Sequence, residues 1–166
     1  MSKERLKHYH VWLVYGIALC VGVVVSFLME APQNNYVDNL ILLANFKNLR
    51  DIFLQNSFVI VLIYVISFFN SYLPFFIIIQ NGCILGVTIS WIFQNNISLL
   101  LLILPHGVFE IPCLLASAFI IVKGKKLFKN NPQRIVKALG QHVALVFLVA
   151  LIEVYVTPIV YNLIFN

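Results

Sequence analysis

Long apolar stretches restrict what this sequence can fold into more than any other feature. A helix needs about 20 apolar residues to cross the hydrocarbon core of a bilayer. Only 10% of the residues are charged, whereas a water-soluble domain carries about a quarter. The sequence therefore predicts an all-α fold: a polytopic transmembrane helical bundle of about five spans, in a single integral membrane domain over residues 1–166. The predicted spans are residues 11–29, 57–69, 72–93, 97–122 and 139–165.

Residues 36–55, between the first two spans, have a different pattern. Leu42, Phe46, Leu49 and Phe53 repeat at helical spacing on one side, and charged and amide side chains occupy the other. Such a pattern is typical of an amphipathic helix that lies in the membrane interface. We predict an interfacial helix at about 36–55, on the outer face of the membrane.

The fourth apolar stretch contains helix-breaking residues. Pro105, Gly107 and Pro112 lie within eight positions of one another, and proline inside a helix kinks or breaks it. We therefore expect a proline-broken fourth span, either kinked or re-entrant. In both cases it should face protein or a water-filled cavity, because irregular backbone is not tolerated against lipid.

The basic residues predict the orientation. Nine of the eleven lysines and arginines lie either before the first span or between the fourth and fifth, and five spans place both segments on one side. By the positive-inside rule that side is the cytoplasm, so the N-terminus is cytoplasmic and the C-terminus extracytoplasmic. Because the basic residues flank spans and are not spread over a folded face, the partner is the lipid bilayer and not nucleic acid.

Four ionisable residues lie inside apolar stretches: His106, Glu110, His142 and Glu153. An ionisable residue within a span costs roughly 2.5–3.5 kcal/mol or more, which makes it a candidate for function. His142 is close to the basic segment, so we expect it to reach the interface and to be structural.

The other three can be related by helix geometry. Glu110 and Glu153 lie 13 and 14 residues from the basic segment, so each is about 20 Å from the cytoplasmic edge. His106 and Thr157 are one turn from Glu110 and Glu153, respectively. We predict that these four residues can form one buried polar cluster, with Asn81 as a further member.

Several interpretations of this cluster remain open. It can be a structural network of hydrogen bonds between helices, or a proton or ion relay. It can also be a binding site for a partner protein or a catalytic metal site. The metal interpretation is weak because His106 and Glu110 lack the paired histidines of a metalloprotease helix. With no nucleophile–base pair or phosphate loop in the sequence, we expect no enzyme activity, no cofactor and no metal.

The third span carries residues that suit close helix packing. Gly82 and Gly86 have the GxxxG spacing that lets two helices approach closely. Asn81 beside them is expected to form a hydrogen bond to another helix.

Several short segments together resemble the stage II sporulation protein M family. The most specific is Leu-Pro-His-Gly-Val-Phe-Glu-Ile-Pro, residues 104–112, and the order and spacing of the segments fit as well. The others are residues 53–56, residues 80–82 with Gly86, and residues 151–153 with 157–158. The resemblance implies a multi-pass protein of the bacterial cytoplasmic membrane without known catalysis.

The resemblance also implies partners. The sporulation member works with two proteins that degrade peptidoglycan, as their membrane scaffold, and other relatives resemble components of circular-bacteriocin immunity clusters with an ABC transporter. We therefore expect a non-enzymatic scaffold or accessory subunit for cell-envelope partners such as peptidoglycan hydrolases. The alternatives are a bacteriocin immunity protein that works with ABC transporter subunits, and a proton- or ion-coupled carrier that uses Glu110 and Glu153. A further possible partner is a second copy of the same chain, in a homo-oligomer.

Overall fold

The computed structural model describes residues 8–29, 46–70, 72–95 and 97–165. Within these ranges the chain forms five α-helices and no strand, which confirms the predicted all-α class. A short 3₁₀ turn precedes the fourth helix. The helices are α1 His8–Ser26, α2 Phe46–Phe69, α3 Leu73–Asn95, α4 Leu100–Asn130 and α5 Pro132–Phe165.

Helix length and composition support a multi-pass membrane protein. Among the described residues, α1, α2, α3 and α5 are long and apolar enough to cross a membrane. In α4, the apolar stretch among the described residues is Gly107–Ile120, which is shorter than the stretches in the other four helices. Large apolar side chains lie on the outside of the bundle, such as Phe76 and Leu148, which are 69% and 54% exposed. Lipid is the solvent that suits such a surface.

The second helix differs from its prediction. Helix α2 runs without a break from Phe46 to Phe69, so residues 46–55 belong to the same helix as the second span and not to a separate one. No proline or glycine separates the two parts. Leu49 is buried against α5, so this end of α2 packs into the bundle. Residues 36–45 of the predicted interfacial helix lie outside the described residues.

The fourth helix also differs from its prediction. Helix α4 continues through Pro105 and Pro112, so the re-entrant alternative is wrong, while the kinked alternative stays a prediction. Pro112 is exposed on the outside of the bundle, where its ring meets no neighbouring helix. A proline in that position removes one hydrogen bond from the helix without ending it.

Helices α1 and α3 run parallel to each other. The Tyr15 carbonyl oxygen lies 3.0 Å from where a Cβ on Gly82 would be, and the Ser26 hydroxyl donates to Ser90 Oγ at 2.6 Å. Residue numbers rise together along both helices, which fixes the direction. The turns between successive helices then make α2 and α4 antiparallel to α1, and α5 parallel to it.

This arrangement brings two chain segments to one end of the bundle. The first turn of α1 and the junction of α4 with α5 at Asn131 lie at the same end, which we call the basic end. Arg134 and Lys137 are exposed there. The opposite end, where α1 ends and α4 begins, is called the far end.

The core takes a fully buried aliphatic side chain from every helix. Each of these five side chains is at most 1% exposed, and together they form one cluster along the bundle axis. They are Val11, Ile63, Ile78, Leu115 and Val146. The polar groups described next lie beside this cluster.

Candidate functional site: a polar cluster inside the bundle

The Glu110 carboxylate is held by a side chain from another helix. Glu110 lies half-buried on α4, and Asn56 Nδ2 of α2 donates a hydrogen bond to its Oε2 at 2.9 Å. The pair therefore joins α2 to α4 at membrane depth.

The first helix also approaches this carboxylate. The hydroxyl of Tyr15 on α1 and the thiol of Cys113, one turn along α4, are both within electrostatic range of Glu110. Tyr15 is buried. Tyr15 therefore lies in the same part of the bundle as Glu110.

A second polar pair links α2 to α5. The Tyr64 hydroxyl lies 2.7 Å from His142 Nδ1, and the two rings meet edge to face. Both residues are buried, at 2% and 6% exposed. His142 is therefore a core residue, which corrects the expectation that it reaches the interface. The physical reason is that His142 lies on the face of α5 that packs into the bundle, together with the buried Val146 and Val149, and not on the exposed face that carries Lys137.

Further hydrogen bonds to the backbone lie around the Tyr64–His142 pair. Cys113 Sγ is 3.8 Å from the His142 carbonyl oxygen, and the Ser117 hydroxyl donates to the Cys113 carbonyl at 2.8 Å. On α2, the Ser67 hydroxyl donates to the Tyr64 carbonyl at 2.6 Å. We call the side chains between the four helices the polar cluster. Its members are Tyr15, Asn56, Tyr64, Glu110, Cys113 and His142.

The helix register separates Glu153 from Glu110. Cys113 lies beside His142 on antiparallel helices; Glu110 is three residues and Glu153 eleven residues from these positions toward the far end. The eight-residue difference corresponds to about 12 Å along the axis. The two carboxylates are thus at different depths. Counting from the basic segment placed them together because it assumed that residues equally far from the loop lie side by side. Cys113, 18 residues before Asn131, instead lies beside His142, 11 residues after it.

Glu153 and Thr157 form a separate feature nearer the far end. Glu153 is half-buried, and Thr157, one turn later, is 4% exposed. Within the described part of the chain, the Thr157 hydroxyl has no hydrogen-bond partner. The four-residue spacing predicted from the sequence is present, but these two residues lie apart from the polar cluster.

The remaining predicted members take other positions. His106 lies on α4 one turn before Glu110, and its side chain is outside the described part of the structure. Asn81 Nδ2 donates to the Ile77 carbonyl of its own helix at 2.9 Å. This corrects the expectation that Asn81 bonds to another helix: the amide is satisfied one turn away.

Gly82 and Gly86 lie in the contact between α1 and α3. A Cβ on Gly82 would be 2.9 Å from Ala18 Cβ, and a Cβ on Gly86 would overlap the Leu19 carbonyl oxygen. Gly22 of α1 is equally constrained, because its Cβ would overlap the Cys83 carbonyl oxygen. Sequence reasoning missed Gly22, although Ala18 and Gly22 have the spacing of two small residues on one helix face.

Sequence reasoning also missed Asn56 and Tyr64. An amide and a phenol in an apolar helix are signals for buried hydrogen bonds, but nothing in the sequence names the partner. In the described chain, no group of three or more histidine, cysteine or acidic side chains is placed to hold a metal. The arrangement offers a carboxylate, Glu110, and an imidazole, His142, each bonded to another helix.

Comparison with known proteins gives one family. The family model described as Stage II sporulation protein M matches residues 11–158. No curated protein and no solved structure matches the chain.

Proposed function

The chain belongs to the stage II sporulation protein M family, and on this basis we propose that it is a non-enzymatic scaffold or accessory subunit for cell-envelope proteins. The observation that carries the proposal is the pairing of intramembrane polar groups across helices. Asn56 bonds to Glu110, and Tyr64 bonds to His142. Polar groups that satisfy one another fix the helices in one arrangement, which a scaffold requires.

The outside of the bundle supports the same role. A membrane partner meets mainly apolar helix faces, while charged side chains lie toward the two ends. At the far end, Arg50 and Asp51 form an ion pair of 2.9 Å and are both more than half exposed. A soluble or wall-bound partner would meet these charges first.

We further propose that the basic end faces the cytoplasm. The support is the shared location of two lysine- and arginine-containing segments, the one before α1 and the one at the α4–α5 junction. Cytoplasmic loops carry an excess of such residues. The far end, with Arg50 and Asp51, then faces the cell wall, where peptidoglycan hydrolases act.

A pull-down from native membranes in mild detergent, read by mass spectrometry, tests this proposal. The wild-type chain is compared with two double variants, Arg50→Ala/Asp51→Ala at the far end and Arg134→Ala/Lys137→Ala at the basic end. We expect wall hydrolases with the wild type and the basic-end variant, and a loss with the far-end variant. Recovery of ABC transporter subunits instead would favour the immunity alternative. Recovery of the chain alone would contradict the scaffold proposal.

A second candidate function is a proton- or ion-coupled carrier. It is favoured by one observation: Glu110 and His142 both lie inside the bundle, and each is hydrogen-bonded to a side chain of α2. Proton and ion flux into liposomes containing the wild type, the Glu110→Gln variant or the Glu153→Gln variant tests this function. Flux that the wild type supports and Glu110→Gln abolishes would favour a carrier over a scaffold.

A further inference from the structure

Helix α3 presents an amide on its lipid-facing side. Gln80 is exposed, and so are Phe76 and Ile84, one turn before and one turn after it. The two apolar residues are 69% and 58% exposed. Residues four apart lie on one helix face, so these three side chains form a single row, which we call the α3 row.

Gln80 lies well inside the membrane layer. It is eight residues from Tyr72 at the basic end and 14 from Gln94 at the far end, or about 12 Å and 21 Å along the helix. Gly82, two residues later, packs against Tyr15, which is itself in range of the intramembrane Glu110. The Gln80 amide is therefore in the hydrocarbon region.

The Gln80 amide has no hydrogen-bond partner within the described part of the protein. Asn81, the next residue, differs because the Ile77 carbonyl accepts its hydrogen bond. Lipid tails offer no donor or acceptor, so an unpaired amide among them is unfavourable. A polar side chain on a lipid-facing surface at this depth indicates contact with another transmembrane helix.

Two other exposed glutamines lie close to charged residues on their helices. Gln55 lies one turn from Asp51, and Gln141 lies one turn from Lys137. Each follows a charged residue that is itself exposed, so both amides can reach the headgroup region. Gln80 has no charged residue within two turns on its helix.

We propose that the α3 row is the contact surface for a second copy of this chain, with the two Gln80 amides paired across a two-fold axis. A side-chain amide carries both donors and an acceptor, so two identical amides can satisfy each other. A two-fold interface uses the same patch on both subunits. Phe76 and Ile84 supply the apolar contacts on each side of the amide pair.

Disulfide trapping in native membranes tests the surface while Gln80 remains in place. Ile84→Cys is made in a chain whose three cysteines, Cys20, Cys83 and Cys113, are replaced by alanine. Leu148→Cys on α5 is the matched control, because Leu148 is also exposed on an apolar helix. Oxidation should give a covalent homodimer at position 84 and little at position 148. Equal yields at both positions, or a product of position 84 with a different protein, would overturn the proposal.

Association measured by energy transfer in lipid vesicles tests the amide itself. Gln80→Leu should raise the dissociation constant of the dimer by about 3- to 30-fold, the range that membrane hydrogen bonds support. Ile79→Ala is the control on the same helix, since Ile79 is exposed but lies off the α3 row. An unchanged dissociation constant for Gln80→Leu would overturn the pairing of the two amides.

Discussion

Replacement of Gly86 by alanine should destabilise the protein, because α1 has no room for an added methyl group there. A Cβ at this position would overlap the Leu19 carbonyl oxygen, and it would lie 2.9 Å from the Val23 nitrogen. Both are backbone atoms, which cannot rotate away as the end of a side chain can. The added methyl group can therefore be accommodated only if α1 moves away from α3. Such overpacking costs about 1–3 kcal/mol.

Gly16 on α1 provides the matched control. A Cβ there would meet nothing within 4 Å, so Gly16→Ala should only gain the helix propensity of alanine, about 1 kcal/mol. The same gain applies to Gly86→Ala. It cancels in the comparison, and the difference in free energy of unfolding between the two variants is the overpacking cost, about 1–3 kcal/mol.

The assay is unfolding in mixed micelles by a graded denaturing detergent, followed by tryptophan fluorescence. Gly86→Ala should unfold at a lower detergent fraction than the wild type, and Gly16→Ala at the same or a higher fraction. Equal stability of the two variants would refute the close contact between α1 and α3. It would also remove the argument that Gly82 and Gly86 set the distance between these helices.

Three further predictions use the same unfolding assay. Thr157→Val should raise the free energy of unfolding by up to about 1 kcal/mol, because it replaces a buried hydroxyl that has no partner with a methyl group of similar shape. A lower free energy of unfolding would mean that the hydroxyl is hydrogen-bonded. Tyr64→Phe should lower stability by about 1–3 kcal/mol, because it leaves His142 Nδ1 buried without its partner, and an unchanged value would argue against this pair. Glu110→Ala should lower stability by a similar amount through loss of the bond from Asn56, and stability equal to that of the wild type would show that the pair contributes nothing.

The fold class could be predicted from the sequence because apolar length is a strong signal in a membrane protein. The boundaries were less certain: the amphipathic pattern of residues 46–55 favoured a separate helix, yet α2 is continuous and Leu49 is buried against α5. Local pattern cannot show which neighbour a helix face meets. Pro112 misled for a related reason, since the effect of a proline depends on which side of the helix it occupies.

The polar cluster was predicted only in part. Glu110 stood out because a charge in a span is rare, but its partner Asn56 is an ordinary amide whose bond depends on how α2 and α4 are aligned. His142 looked interfacial because it follows a basic segment, but it lies on the inner face of α5, where it meets Tyr64 of α2. Glu153 was placed beside Glu110 by counting residues from a loop. Register between helices is a tertiary property, and one sequence does not determine it.

Partner recovery by the Glu110→Gln variant tests the central claim most directly, which is that the polar cluster acts by holding the helices together. Glutamine keeps an acceptor for the bond from Asn56 but cannot titrate. In a quantitative pull-down from native membranes, the account predicts the same partners at the same yield for Glu110→Gln as for the wild type, and a loss for Glu110→Ala. Loss of the partners by Glu110→Gln, at an unchanged free energy of unfolding, would contradict the account, because the carboxylate would then be needed for its charge and not for the fold.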